Sequence, residues 1–512
     1  MKKIAWSKSF PGWMVVLFFA AIALLYFSFL PVNYSFDGTV FSHFLRYALV
    51  KHDWLAVTQI HHLLYFPINY LLYRALEALC AYRVLEFFHL QLFSMFFAVS
   101  TLVLLERMLK KIGLATILRL SGVTAIAFSY AFWLFALDAE VHMAGVFFTV
   151  AGLYLHIFRR HNVATLIWAA LCLALAAGFH LTNLLIGVTV FFIFLEKRQP
   201  WRRWAGFFLA YFSFLLILYG VYAAISHKPV HRILANVFFG ADVYSGYPST
   251  FFKPLAGSTV LSSLAALKGA LLAKAGIWSS LMGAGILALL AMACSGTVQE
   301  TRRIFQRAML FWFLPFFLFF TFWDSGNIEF KIHALVPLLL IAVTSLDRLK
   351  PLAARGLGII LAGGLLLGNL HFAIRPLSDP VNNINHQVAM AIQKATPNNA
   401  QIVITGNFEG YGYGKIFLPY FALRDVLILD WLLGRGQSLE AIRERLRKTA
   451  AAGRPVYAMN EVAENGRSMN KLLGFHRIGP NDYAAFMAGT RFIPVAELPG
   501  NYRLYRLEFA SP

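Results

Sequence analysis

Asp138-Ala-Glu140-Val-His142 places two carboxylates and an imidazole within five residues, between two long apolar runs. Other acids stand in comparable breaks. Asp37 closes Asn33-Tyr-Ser-Phe-Asp37 just after the first apolar run, and Asp324 and Glu329 lie in Trp323-Asp-Ser-Gly-Asn-Ile-Glu329-Phe-Lys331-Ile-His333. Histidines accompany them: His61 and His62, His142, His180 in His180-Leu-Thr-Asn183, and His333. A carboxylate can take a proton from an attacking hydroxyl, and cations can stabilise a departing phosphate, so this mixture suits group transfer from a phospholipid carrier. The basic residues that depart from the general charge trend are Arg46, Lys51, Arg232, Lys253 and Lys331. They are candidates to hold an anionic lipid group; the plainer reading is snorkelling to headgroups. For each acid alone, the plainer reading is a solvated hairpin tip. Adjacent helical residues point about 100° apart, so His61 and His62 are not expected to share one metal ion. The sequence specifies no metal and leaves a divalent cation open as cofactor.

The elements that must position these residues are membrane helices. The 512-residue chain is 59% hydrophobic, 16% aromatic and only 13% charged, against about 25% charged in soluble domains. Its formal net charge of +21 does not indicate nucleic acid, because Lys and Arg fall in short clusters between apolar runs, the pattern of a polytopic protein. Cys80, Cys172 and Cys294 are too scattered for a disulfide framework or a metal motif. Basic clusters at 2–8, 107–111, 159–160, 197–203, 302–307 and 348–355 mark the cytosolic side. Each interval between them is a hairpin. As one helix, Leu114–Phe158 would reach about 68 Å, more than twice a hydrocarbon core of about 30 Å. It must therefore turn, at Asp138–His142. Similar turns are expected at 180–183 and 323–333, with a longer loop near 226–274. The count is about eleven spans, with the N-terminus cytoplasmic and the C-terminus outside, in the plasma membrane. In the first outer loop, about 31–86, the apolar spacing of Val40, Phe41, Phe44, Leu45, Ala48 and Leu49 predicts an amphipathic helix on the membrane surface, followed by a second over 63–79.

Beyond residue 375 the composition changes. Turn formers at 382–399 precede strands at 401–405, 425–430, 455–459 and 502–507, with a helix at 439–452. The fold expected is thus an α-helical polytopic membrane domain, 1–375, and a small extracytoplasmic α/β domain, 376–512. Gly406-Asn-Phe-Glu-Gly410-Tyr-Gly412-Tyr-Gly414 lacks the spacing of a phosphate-binding loop. It reads as a turn-rich loop, the alternative being a carbohydrate contact through its tyrosines.

Three segments carry a resemblance. Ser35-Phe-Asp37-Gly38 followed by Ile60-His61-His62-Leu-Leu-Tyr65-Phe-Pro67, then Ser129–Trp133 leading to Ala139-Glu140-Val141-His142, and then Gly178-Phe-His180-Leu-Thr-Asn183-Leu together resemble the GT-C superfamily of membrane glycosyltransferases. The closer likeness is to its protein O-mannosyltransferase-like branch; the superfamily also holds the lipid A aminoarabinose transferase. The likeness is good over residues 10–200 and architectural to about 375. It departs where His61-His-Leu-Leu replaces a proline-rich start and where His142 stands for the usual Tyr. The resemblance implies Asp37 as general base and Glu140 as a second acid that orients a substrate. His61, His62, His180 and Asn183 would line the site. Residue type and placement at the outer breaks add Asp138, His142 and Glu329 as substrate-binding candidates, and Lys331, Arg232 and Lys253 as phosphate-binding candidates. The resemblance further implies a polyprenyl-phosphate sugar donor, a protein or glycan acceptor, and inversion at the anomeric carbon. The alternative is a transporter, flippase or assembly partner for lipid-linked saccharides. The absence of internal repeats and the placement of the acids at hairpin tips speak against it. A ligase or phosphoethanolamine-type transferase is the weaker third reading.

Overall fold

The structure is a computed structural model that describes residues 11–159, 162–227, 229, 231, 233, 256–273, 285, 300–406, 410–464 and 467–510. Two compact units emerge, Met1–Pro31 with Phe44–Ser378, and Val32–His43 with Asp379–Pro512. The helix Phe36–Lys51 begins in the second and continues in the first.

The first unit is helical. Its elements are α1 (Gly12–Ser28), α2 (Phe36–Lys51), α3 (Tyr65–Cys80), α4 (Glu86–Lys111), α5 (Thr116–Ala127), α6 (Tyr130–Leu137), α7 (His142–Phe158), α8 (Val163–Phe179), α9 (Ile186–Glu196) and α10 (Trp201–Ser226). Helices at Gly257–Leu271, Glu300–Trp323, Ile332–Leu346 and Pro351–Asn369 follow. Five stretches are long and apolar enough to cross a bilayer: Glu86–Lys111, Trp201–Ser226, Glu300–Trp323, Glu329–Leu346 and Pro351–Leu377. The bent pair α5–α6 makes a sixth if it is one span. This is a multi-pass membrane protein. Among the described residues, length and composition thus support 5 or 6 spans rather than the expected number of about eleven. Gly12–Ser28, His142–Phe158, Val163–Phe179 and Leu181–Glu196 are apolar but shorter, and each falls in an interval where a span was expected. The span expected after Lys274 lies almost wholly outside the described residues.

Burial follows composition. Every residue from Ile332 to Leu346 is buried, as an all-round apolar helix at the centre of a bundle requires. In α10 only Phe207, Tyr211, Leu215 and Tyr222 are buried, a single stripe at helical spacing. Trp204, Phe208, Phe214 and Tyr219 are partly buried against the same core, while Leu209, Phe212, Leu216, Ile217 and Val221 are exposed. Helices α7 and α8 pack closely because α7 carries glycine where they meet. A Cβ on Gly145 would lie 2.6 Å from Asn183 Nδ2, and one on Gly152 would lie 2.4 Å from Leu173 Cδ2. The Asn183 amide is anchored to two carbonyls and cannot give way. Gly145→Ala is therefore expected to destabilise the protein by about 1–3 kcal/mol. Gly363→Ala, with open space around it, is expected to be neutral or stabilising. Thermal unfolding of both variants in detergent checks the contrast.

The α5–α6 pair bends by 65° at Phe128-Ser129. A break frees carbonyls that lipid cannot satisfy, and each has a distant donor here. Tyr26 Oη donates to Ala127 O at 2.6 Å. Asn369 Nδ2 donates to Phe128 O at 2.8 Å and to Leu271 O at 2.9 Å, while its Oδ1 accepts from Ala273 N at 3.0 Å. Asn369 is fully buried, so both polar atoms of a single amide side chain, through three hydrogen bonds, hold helix ends together.

The second unit is a mixed sheet in the order β2-β1-β3-β5-β4, with β1 Gln401–Ile404, β2 Asp425–Ile428, β3 Val456–Met459, β4 Thr490–Leu498 and β5 Tyr502–Phe509. The first three are parallel, and β5 runs antiparallel to β3 and β4. Helices cover both faces. Ile402 and Ile404 pack with Val388 and Ile392 on one side, and Val403 with Leu439, Ile442 and Leu446 on the other. Four strands and the helix 439–451 stand where the sequence predicts them. Strand β4 was not predicted, because Pro494 interrupts it; a register shift between Pro494 and Ala496 accommodates the proline. The glycine-rich loop has a structural explanation at two positions. Gly406 has φ +110°, and a Cβ on Gly410 would meet Glu461 Oε2 at 2.6 Å, where that carboxylate accepts from Tyr411 N at 2.8 Å.

Candidate functional site

In the first unit, three chain breaks converge. The loop 138–141 joins α6 to α7, the turn Leu181–Leu185 follows α8, and the turn Glu329–Lys331 precedes the helix Ile332–Leu346. His142, the first residue of α7, donates through Nε2 to Glu329 Oε1 at 2.7 Å. Asn327 holds Glu329 in place: its Oδ1 accepts from Glu329 N at 3.0 Å and its Nδ2 donates to Glu329 Oε2 at 3.4 Å. Ligand atoms of Glu140, His142 and Glu329 all lie within 4.8 Å of one another. One imidazole and two carboxylates at this spacing are the residues that could hold a divalent cation.

A row of imidazoles runs away from this cluster. The rings of His142 and His180 are 4.9 Å apart, and those of His180 and His62 are 5.0 Å apart. Their tautomers follow from their neighbours. A carboxylate only accepts, so His142 carries hydrogen on Nε2. The backbone N–H of Thr182 donates to His180 Nδ1 at 3.3 Å, so neutral His180 carries its hydrogen on Nε2. His62 Nδ1 lies 3.4 Å from Phe179 O and must be the donor there. Burial, reinforced by repulsion from His61 and His142, pushes the His62 pKa down to about 3. Burial also lowers that of His61. Both are therefore neutral near pH 7, and neither brings a positive charge.

Asp138 and Glu140 are buried, and both act electrostatically on Tyr65, which the motif comparison had not marked as a site residue. Asp138 Oδ1 also accepts from Ala139 N at 2.8 Å. Two other expected residues face inward. Asn183 is fully buried; both amide hydrogens are engaged, to Ala176 O at 3.0 Å and His180 O at 3.1 Å, and Oδ1 accepts from Thr149 Oγ1 at 3.4 Å. It shapes the turn that carries His180. Lys331 is also fully buried, and its Nζ donates to Ser263 Oγ at 2.9 Å and Phe320 O at 3.4 Å. Arg46 pairs with Glu86 at 2.9 Å. Arg232 and Lys253 lie outside the described residues.

Asp37 belongs to the second unit. It is an exposed residue in the first turn of α2, a turn closed by Gly38 N donating to Ser35 Oγ at 2.9 Å. Tyr34 stacks on Phe421 at 5.1 Å, and Phe36 packs edge-on against Tyr413 at 5.7 Å. Lys415 Nζ lies over the Phe36 ring, 4.6 Å from its centroid. Burial lowers the Lys415 pKa, and the Asp430 and Asp37 carboxylates oppose that shift. Lys415 is thus a cation near Asp37 that the sequence analysis missed. Its one signal was its place beside the glycine-rich run, which the loop reading had absorbed.

Residues 76–203 match the family model described as protein O-mannosyl-transferase TMEM260 N-terminal domain. Among curated protein sequences none matches. The fold is similar to ArnT from Cupriavidus metallidurans. Against the form bound to undecaprenyl phosphate the TM-score is 0.63 at 14% identity, covering 98% of this chain and 100% of that one. Against the apo form it is 0.67 at 12% identity, covering 96% and 97%. Arabinofuranosyltransferase AftD from Mycobacteria is similar at TM-score 0.51 and 13% identity over 98% of this chain and 42% of that chain. At these identities the likeness is one of fold. The motif resemblance therefore holds on two counts, a domain match over 76–203 and an ArnT-like fold along nearly the whole chain, and the protein is similar to GT-C membrane glycosyltransferases, with the O-mannosyltransferase-like branch as the matched domain.

Proposed function

We propose that this protein is a membrane glycosyltransferase that moves a sugar from a polyprenyl-phosphate donor to a hydroxyl of a protein or glycan acceptor on the extracytoplasmic face. The observation that carries the proposal is the Glu140–His142–Glu329 cluster, in which Glu140 and His142 are buried and Glu329 is partly exposed, with Glu140 and His142 inside the segment that matches an O-mannosyl-transferase domain. The donor class is supported by the undecaprenyl phosphate bound to the ArnT whose fold is similar. The side of the membrane rests on the basic clusters.

In this reaction the acceptor oxygen attacks the anomeric carbon and the bond from that carbon to the phosphate oxygen breaks. Polyprenyl phosphate leaves with the electron pair, and the configuration inverts. Asp37 takes the acceptor proton. Glu140 orients a substrate, held in turn by the loop between α6 and α7, and Asp138, His61, His62, His142, His180 and Glu329 line the site. Arg232 and Lys253 remain candidates for the leaving phosphate. In the present conformation the Lys331 ammonium is engaged with Ser263, so a phosphate role for it requires a rearrangement.

The test is reconstitution in liposomes with radiolabelled polyprenyl-phosphate mannose and a cell-envelope acceptor fraction. Transfer of label into material that organic solvent no longer extracts, with release of polyprenyl phosphate, is the expected result. Label that crosses the bilayer while still lipid-linked would instead establish the transporter reading.

A further inference from the structure

Polar ring atoms within the helical bundle rarely stay without a partner in a working protein, yet two neighbouring histidines of the first unit, His142 and His333, carry three such atoms among the described residues. His333, in the first turn of the helix Ile332–Leu346, is 1% exposed, and neither Nδ1 nor Nε2 meets a hydrogen-bond partner among the described residues. His142 is equally buried; Glu329 holds its Nε2, while its Nδ1 has no partner among them. The two ring centroids are 6.5 Å apart. His333 is fixed in plane by stacking on Phe316 at 4.8 Å and 18°. Phe330 completes the setting. It stands edge-on to His142 at 6.3 Å and is itself stacked on Phe320 at 4.7 Å.

The chemistry of these side chains narrows the ligand. A neutral imidazole offers one donor and one acceptor, so a partner must both give and take hydrogen bonds. A phosphate only accepts, and the nearest cation on this element, Lys331, is engaged elsewhere. A prenyl chain offers no polar atom. A sugar offers hydroxyls that donate and accept, and a C–H face that suits an aromatic ring such as Phe330. An acceptor needs one hydroxyl at the reacting centre, whereas the donor saccharide must be enclosed there. We infer that His333 and Nδ1 of His142 read hydroxyls of the donor sugar, which makes His333 a specificity-determining residue. This inference rests on the proposed glycosyl transfer.

His333→Phe keeps a ring against Phe316 and removes both nitrogens. Thermal unfolding in detergent is measured with polyprenyl-phosphate mannose and with polyprenyl phosphate alone. In the wild type the mannose-bearing lipid is expected to raise Tm further than the bare phosphate does. In His333→Phe, which leaves Nδ1 of His142 in place, the difference between the two lipids is expected to shrink, without loss of intrinsic Tm, and the KM for the donor to rise about 10-fold, as for one or two lost neutral hydrogen bonds. A variant that distinguishes the two lipids as strongly as the wild type overturns the inference. Should it fail to fold, the wild type decides by nitrogen NMR of labelled histidine. The His333 signals must shift with the mannose lipid and not with the bare phosphate, and unchanged signals overturn the inference. A wild type stabilised by neither lipid overturns the donor class itself and this subsite with it.

Discussion

Replacing Asp37 with Asn is expected to lower the rate of sugar transfer by about 10²- to 10⁴-fold, the range associated with a positioned general base. The substitution is nearly isosteric at an exposed position. The turn that carries the residue is held by neighbours: Gly38 N donates to Ser35 Oγ at 2.9 Å and Thr39 Oγ1 to Ser35 O at 2.7 Å. The helix start should therefore persist, and the loss should appear in kcat rather than in protein yield. A second readout separates lost basicity from general damage. The Asp37 carboxylate opposes the downward shift that burial imposes on Lys415. Without it the Lys415 pKa falls further, so any alkaline limb of the rate profile that depends on that ammonium moves to lower pH. Single-turnover assays across pH, with Asp37→Glu beside Asp37→Asn, make the comparison. A full rate from Asp37→Asn removes this residue from the mechanism.

The second large effect is expected at Glu329. Its Oε1 is the acceptor for His142 Nε2 at 2.7 Å, and His142 is almost wholly buried. Glu329→Ala leaves that N–H without a partner in a low-dielectric interior, where an unmade hydrogen bond costs about 1–3 kcal/mol, and frees the ring to turn. Transfer should fall by about 10²-fold, as for a lost orienting hydrogen bond at a preorganised site. Glu329→Gln keeps an acceptor oxygen and should lie between Ala and wild type. The measurement is kcat and KM for both variants. Equal, wild-type values for the two would mean that the pair only supports the fold.

The sequence revealed the tips of the hairpins because two elementary quantities determine them, the length of an apolar run against the bilayer and the side on which basic residues cluster. Residues 138–142, 180–183 and 323–333 were legible for that reason, and they carry Glu140, His142, His180 and Glu329. Which way each side chain points was not legible. The inward turn of Lys331 depends on Ser263, 68 residues away, and the closure of Asn183 on Ala176 depends on a helix end that composition does not mark. Lys415 and Asp37 are far apart in the chain, and nothing in either local pattern announces the other. The same holds for the segment 32–43, which the first-outer-loop reading grouped with the membrane helices. Contact clustering assigns it to the unit that contains the sheet, because Tyr34, Phe36 and Val40 pack against the core formed by Ile402, Phe417 and Met459.

The bend at Phe128-Ser129 has a consequence for biogenesis. Its carbonyl at Phe128 waits for a donor 241 residues further along the polypeptide. When α5 and α6 leave the ribosome and enter the insertion machinery, Asn369 has not been translated. The bend must then be hydrated, shielded by a translocation partner or transiently straight, and the architecture around Asp138 and Glu140 is completed only when the last apolar helix arrives. Chains truncated before residue 369 should thus be recognised as unfinished by membrane quality control, even though every segment matched to the O-mannosyl-transferase domain is already present.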